Sequence, residues 1–234
     1  MIGPAFGSTY ILAKTENTDS ETPVEEDNWV AAMEWADSIG VDVTSTSLGY
    51  IGYDPPYTDY TWEDMDGNTA LITIAGDLAV GKGIVVVNSA GNEGYNSSHN
   101  TLGAPADGDS IIAVGAVTSS GIRTSFSSVG PSVDGRIKPD LMAMGSNVYH
   151  ADSFGNQYWS GGGTSYSCPL LAGVCALIIQ KNPTLTPMEV LQVLKTTATR
   201  STNPDNEYGW GIINALSAMN LVTIPVELTL FNGN

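Results

Sequence analysis

Gly162-Gly163-Thr164-Ser165-Tyr166-Ser167-Cys168-Pro169 runs directly into a segment, residues 169–181, that is apolar on nearly every side. A helix that is hydrophobic all round belongs in the middle of a protein rather than on its surface. Residues 169–181 are therefore predicted as a central, buried helix that stops at Asn182-Pro183. The glycines ahead of it let the backbone turn sharply and come close to a partner. At a helix N-terminus, free N–H groups and the macrodipole stabilise developing negative charge. Ser165 is thus a candidate nucleophile, and the plain alternative is that Thr164 or Ser165 merely caps the helix.

Outward from this point, strand-like and helix-like stretches alternate, the pattern of a parallel sheet with crossover helices. Residues 10–13 read as a strand, and Pro23 opens a helix to about Ser38 with Glu25, Glu26 and Asp27 in its first turn. Residues 41–48 read as a second strand, followed by a long loop rich in Gly, Pro, Tyr and Asp. A helix over 69–80 stops at Gly81-Lys82-Gly83, and 84–89 and 111–117 are short apolar strands of the buried type. Thr186-Pro187-Met188-Glu189 is a capping box with proline at the first helical position. Val190, Leu191 and Leu194 give the helix that follows its apolar stripe. One domain is expected over 1–221, with 222–234 a linker or the start of a following module.

Composition narrows the function. With 234 residues and 42% apolar content the chain can bury a core, and its 26 glycines and 12 prolines imply many tight turns. Eight Lys+Arg oppose 25 Asp+Glu for a net charge of −17, and residues 1–66 hold fourteen acids against one base, Lys14. Nucleic acid is excluded as a partner, because phosphate neutralisation needs clustered Lys/Arg. A membrane is excluded as well: an anionic surface repels the first third, and no apolar run approaches the ~20 residues of a span. Residues 1–7 lack the basic and apolar regions of a signal peptide, so either the chain is cytoplasmic or an earlier segment precedes it. Cys168 and Cys175 lie seven apart on one helix, about 10.5 Å, too far for a disulfide, and are expected as buried free thiols.

Several familiar patterns fail. Gly76 through Gly83 nearly spells a phosphate-binding loop, but Ser/Thr is missing and the segment ends a helix instead of opening one. No G-x-S-x-G elbow occurs. Glu63-Asp64-Met65-Asp66-Gly67 lacks the later ligands of a calcium loop and reads as a solvated acidic loop. A second signal does stand: Val85-Val86-Val87-Asn88-Ser89-Ala90-Gly91-Asn92-Glu93-Gly94 places Asn92 just past a buried strand. Active sites of open α/β sheets lie at such carboxyl ends, where an amide can donate to an oxyanion; a turn residue is the plain reading.

Taken together, these segments resemble the subtilisin-like serine peptidases (subtilases, peptidase family S8), specifically the C-terminal portion of the catalytic domain. The residues that carry the resemblance are Glu34-Trp35-Ala36 with Val41-Asp42-Val43 and Thr46-Ser47-Leu48-Gly49, then Ala90-Gly91-Asn92-Glu93-Gly94. They continue with Ala104-Pro105 and residues 112–116, Phe126-Ser127-Ser128 with Gly130-Pro131, Lys138-Pro139-Asp140, and Gly163-Thr164-Ser165 with Pro169 and Ala172-Gly173. The resemblance implies a three-layer, doubly wound, mostly parallel sheet with helices on both faces, lacking its N-terminal strand and helix. It implies Ser165 as nucleophile, with Asn92 and the Ser165 N–H as the oxyanion hole. Ser47, Leu48 and Gly49, with Ala90 and Gly91, are implied to line the primary specificity pocket and to pair with a peptide or protein substrate as an added strand. Gly162, Ser45 and Met144 depart from the family's common residues without removing a catalytic atom.

The same resemblance orders a catalytic Asp and His upstream of every segment matched here. His99 and His150, the only histidines, match no catalytic position and are expected at the surface. The expectation is therefore a secreted or cell-surface serine endopeptidase whose missing N-terminal segment supplies Asp and His, this chain alone being inactive. The competing expectation is a non-catalytic peptide-binding module. No cofactor is required for the chemistry; structural calcium is a family expectation, with Asp140 and the Glu63–Asp66 cluster as weak candidates and no metal ligand assigned. The acidic first third, with Glu25, Glu26 and Asp27 opening the helix whose family counterpart borders the cleft, suggests a preference for basic residues on the non-prime side of peptide substrates.

Overall fold

The computed structural model describes residues 3–152 and 155–223, so most of the tail from 222 and the first two residues lie outside the described residues. In chain order come α1 (Val24–Ile39), β1 (Val43–Thr46), a 3-10 turn (Trp62–Asp64), α2 (Leu71–Gly81), β2 (Val85–Ser89) and β3 (Ile112–Val117). Then follow β4 (Leu141–Met144), β5 (Val148–Ala151), β6 (Tyr158–Gly161), α3 (Thr164–Lys181), α4 (Pro187–Thr197) and α5 (Ala215–Leu221). The main sheet runs β1-β2-β3-β4 with every pair parallel, and β5 and β6 form a separate antiparallel hairpin.

Strand β2 shows why this sheet is covered on both sides. Successive side chains of a strand point to opposite faces, and Val85 and Val87 join one core while Ile84 and Val86 join the other. The first core is filled by Leu171, Val174, Cys175 and Ile178 of α3 with Val190 and Leu194 of α4. Across the sheet, Trp29 and Met33 of α1 pack with Ile72 and Ala79 of α2. Helices on both faces of a parallel sheet make the three-layer α/β fold. Both cysteines are buried and free. Burial pushes the Cys168 thiol up to about 11 and raises that of Cys175 further.

Three sequence expectations are corrected. Residues 10–13 form no strand: Tyr10 and Leu12 are 68% and 90% exposed, and Tyr10 Oη donates to the Ala5 carbonyl instead. A strand needs a neighbour for its backbone groups, and among the described residues none flanks this run. The central helix starts at Thr164 rather than at 169, so Pro169 lies inside it. The acids of α1 are not a charged rim, because Glu25 and Glu26 are buried and bonded within the chain. Glu25 accepts from the N–H groups of Asn17 and Thr22, and Glu26 from Tyr53 Oη, Tyr60 Oη and the Ile72 N–H. That leaves Asp27 alone of the three exposed.

Candidate active site

The C-terminal ends of β1 and β2 meet the N-terminus of α3. Gly163 is the N-cap of α3, with φ 147° and ψ 157°, a region essentially closed to residues with a Cβ. That turn brings Ser165 into the first turn of the helix. No neighbouring side chain within the turn caps α3. The cap comes from Asn92, 72 residues earlier: Thr164 donates to Asn92 Oδ1 from its N–H at 2.9 Å and from Oγ1 at 3.1 Å. With Oδ1 committed in this way, the amide orientation is fixed and Nδ2 is the atom left to donate. Asn92 is exposed, so that donor faces solvent at the strand ends.

The turn carrying Asn92 is itself pinned. Ser128 Oγ accepts from the Glu93 N–H at 3.1 Å, the Ser128 N–H donates to the Gly91 carbonyl at 3.1 Å, and the Gly94 N–H to the Phe126 carbonyl at 2.7 Å. This gives the Phe126-Ser127-Ser128 motif a physical role as the clamp on the Asn92 turn.

Pro169 explains how Ser47 meets Ser165. Lacking an N–H, Pro169 cannot bond the carbonyl four residues back, which is that of Ser165. Ser47 Oγ donates to this free carbonyl at 2.9 Å, and Ser165 Oγ donates to the Ser47 carbonyl at 3.3 Å. The segment after β1 is thus tied to the first turn of α3 by two hydrogen bonds. Ser47 and Leu48 are half-buried and Gly49 is exposed, while Ala90 is fully buried and Gly91 half-buried, so the predicted site residues converge at one end of the sheet.

The two histidines lie elsewhere. His99 stacks on Trp62 with ring centroids 5.4 Å apart and bonds Asn96 and the Asn100 carbonyl. His150 Nδ1 bonds the Ala151 carbonyl at 3.0 Å and Nε2 bonds Tyr166 Oη at 3.2 Å. Both are half-buried rather than fully on the surface, and neither hydrogen-bonds Ser165. Tyr166 Oη lies so near Gly161 that any Cβ at 161 would stand 2.2 Å from it.

The calcium candidates do not fit a cation. Asp140 is saturated by Lys138 Nζ and Lys195 Nζ, each at 2.8 Å, and by the Ala113 N–H at 2.9 Å. Asp64 closes a capping box with Thr61, and Asp66 accepts from the N–H groups of Asn68 and Thr69. Glu63 is exposed and Asp64 and Asp66 are half-buried, so the segment is an acidic loop at the surface whose Asp carboxylates also close its turns. Two features escaped the sequence reading: the ion triad at Asp140, and Asn88, a buried amide in the valine run of β2. Asn88 was visible as the one polar residue between Val87 and Ser89 that apolar patterning does not account for.

The model of the subtilase family matches residues 1–211. Subtilisin DY of Bacillus licheniformis is 42% identical over 189 residues, covering 81% of this chain and 61% of that protein. Subtilisin E of Bacillus subtilis strain 168 is 41% identical over 192 residues, 82% of this chain and 44% of that protein. The chain therefore spans between two fifths and two thirds of the length of these curated relatives. Among solved structures, the self-cleaved protease domain of PatA superposes with a TM-score of 0.67 at 24% identity, over 84% of this chain and 67% of that one. MycP1 without its N-terminal propeptide gives 0.66 at 23%, over 85% and 68%. These two likenesses carry the fold.

Proposed function

Because the chain belongs to the subtilase family, we propose that it is the nucleophile-bearing part of a serine endopeptidase that cleaves peptides or proteins through an acyl-enzyme. The observation that carries this reading is the Asn92 amide, fixed by Thr164 so that its N–H group is available beside the N-terminus of α3. Ser165 Oγ attacks the scissile carbonyl, and the oxyanion that forms is held by Asn92 Nδ2 and the Ser165 N–H. Ser47, Leu48 and Gly49 receive the acyl side of the substrate as an added strand, against Ala90 and Gly91. Water then hydrolyses the ester.

A serine hydroxyl is a weak nucleophile without a base, and Ser165 Oγ donates to a carbonyl. The proton is taken by an imidazole outside this chain, oriented by an upstream carboxylate, and the working enzyme lies outside the cytoplasm. No described helix is long and apolar enough to cross a membrane. The same Ser165–Ser47 contact is what favours the second reading, a peptide-binding module without chemistry.

A fluorophosphonate probe tests both. The 234-residue chain is expected to label negligibly, and to label at Ser165 once the segment bearing Asp and His is supplied, with labelling lost in Ser165→Ala. Rapid stoichiometric labelling of the chain by itself refutes the need for an outside base. No labelling or hydrolysis despite a demonstrated complex with that segment refutes the peptidase reading in favour of the binding module.

A further inference from the structure

Past the Asn92 turn, the two segments that clamp it run on together and wall a second cavity, of about 510 Å³. The Thr101 N–H donates to the Val129 carbonyl and the Val129 N–H to Thr101 Oγ1, each at 2.9 Å, which holds residues 95–101 against 129–133. Trp62 closes one side and residues 205–207 another. Small-ligand sites have volumes of about 300–1,000 Å³, and this one falls among them. Neither Ser165, Asn92 nor any residue of 47–49 lines it, so it is separate from the candidate active site.

The cavity offers two kinds of group. The first is aromatic surface. His99 stacks on one side of the Trp62 ring with centroids 5.4 Å apart, and Trp62 is still 43% exposed; Tyr95 is 59% exposed. The second is a set of hydrogen-bond acceptors. Asn100 is only 3% exposed, and its Nδ2 donates to the Trp62 carbonyl at 3.0 Å, which fixes the amide. Its Oδ1 is left buried with no partner among the described residues, and so is Asn206 Oδ1. Glu207 meets Arg123 Nε at 3.2 Å through Oε2, and its side chain is 48% exposed, which leaves Oε1 for another donor. Among the described residues no Lys or Arg lines the cavity.

A wall that holds unpaired acceptors and a carboxylate, with no cation, favours a ligand that is positive and only donates. A sugar hydroxyl must be given hydrogen bonds as well as give them. A guanidinium has five N–H donors and no acceptor, and its plane stacks on aromatic faces. The chain's own arginines pair in this way nearby. Arg123 lies 5.9 Å from the centre of the Tyr95 ring and bonds Glu207, and Arg200 lies 3.9 Å from the centre of the Tyr208 ring and bonds Asp205. We propose that the cavity between Trp62, Tyr95, Asn100 and Glu207 is a binding site for a guanidinium group, carried by an arginine side chain or by a small guanidino compound. The inference goes beyond the peptidase reading and does not rest on it.

NMR titration of the 234-residue chain with acetyl-arginine amide and with its neutral isostere acetyl-citrulline amide tests this, read at the Trp62 indole N–H. The arginine probe is expected to shift that signal, and citrulline to bind about tenfold more weakly, having lost the charge-assisted bonds. Methylguanidinium separates the two sources: affinity equal to that of the arginine probe assigns the site to a small guanidino compound, and weaker affinity to a side chain, either result upholding the site. Trp62→Ala is expected to weaken the arginine probe about three- to tenfold through the lost ring. Glu207→Gln, a change at the surface that the fold tolerates, is expected to weaken it about two- to fivefold at low salt, a difference that shrinks in 1 M salt. Equal affinity for arginine and citrulline overturns the proposal, as does parental affinity in both variants. Shifts confined to residues 47–49 and 90–92 overturn it too, by placing the probe in the cleft at Ser165, and leave the peptidase reading standing.

Discussion

Asp140 offers the sharpest test of how the sheet's far edge is held. Its carboxylate is buried between Lys138, itself only 2% exposed, and Lys195, and it also accepts from the Ala113 N–H. Lys138 Nζ donates in addition to the Ile111 carbonyl at 2.8 Å, and Lys195 Nζ lies 3.8 Å from the centre of the Trp210 ring. Asp140→Asn keeps the shape but leaves two ammonium groups without their counter-charge. Removing one partner of a buried ion pair costs about 3–5 kcal/mol. At this chain length each kcal/mol moves Tm by about 2–4 °C, so scanning calorimetry is expected to show a drop of roughly 10 °C. Replacing the whole triad by Lys138→Met, Asp140→Leu and Lys195→Met leaves no charge stranded and is expected to fall within a few degrees of the parent. The pH dependence has a definite sign. Burial alone would raise the Asp140 carboxyl, but Lys138 and Lys195 override it and hold it below its ordinary value. A depressed carboxyl stabilises fully above the unfolded value of about 3.9 and loses that contribution as pH falls through the folded one. The gap between parent and Asp140→Asn should therefore be flat from about pH 5 to 8 and close below pH 4. A Tm change under 2 °C, or a gap that widens in acid, would refute this account of the triad.

Other perturbations are simpler to state. Gly163→Ala forces a Cβ into a backbone region reserved for glycine and should cost about 1–3 kcal/mol, read as a fall in Tm together with loss of Ser165 labelling in the assembled enzyme. Because burial pushes the Cys168 thiol up to about 11 and that of Cys175 higher, neither should react with a disulfide reagent at pH 8 until the chain unfolds; fast reaction of the folded chain would contradict the packing of α3. Since the carboxylates of Asp64 and Asp66 are occupied by the chain's own donors, substituting either by Asn should not alter the response of Tm to millimolar calcium. A calcium-dependent rise would require ligands other than these.

The sequence revealed most where a segment's pattern and its environment agree. The valines of β2 and the capping box at Thr186 announce their elements, and Thr186 and Glu189 bond each other as the box requires. The entry turn of the buried helix was legible because three glycines stand directly before an apolar run. The run at 10–13 misled because alternation and apolar content describe what a strand can do, while a ladder also requires a neighbour that no local pattern encodes. Glu25 and Glu26 misled in the opposite direction: their partners Asn17, Thr22, Tyr53, Tyr60 and Ile72 are scattered over more than fifty positions. The hairpin β5–β6 and helix α5 are too short to carry a periodicity, and were not anticipated.

The cap on α3 has a consequence for the order in which the molecule comes together. Most helices begin with a donor or acceptor supplied from within a few residues, so they can start before the rest of the protein exists. Here the first N–H of the helix waits for an amide 72 positions away, at the end of a strand in the middle of the sheet. The serine cannot acquire its geometry until β2 and its turn are seated. The geometry at Ser165 is thus tied to the integrity of the sheet, and a loosened β2 takes the cap of α3 with it.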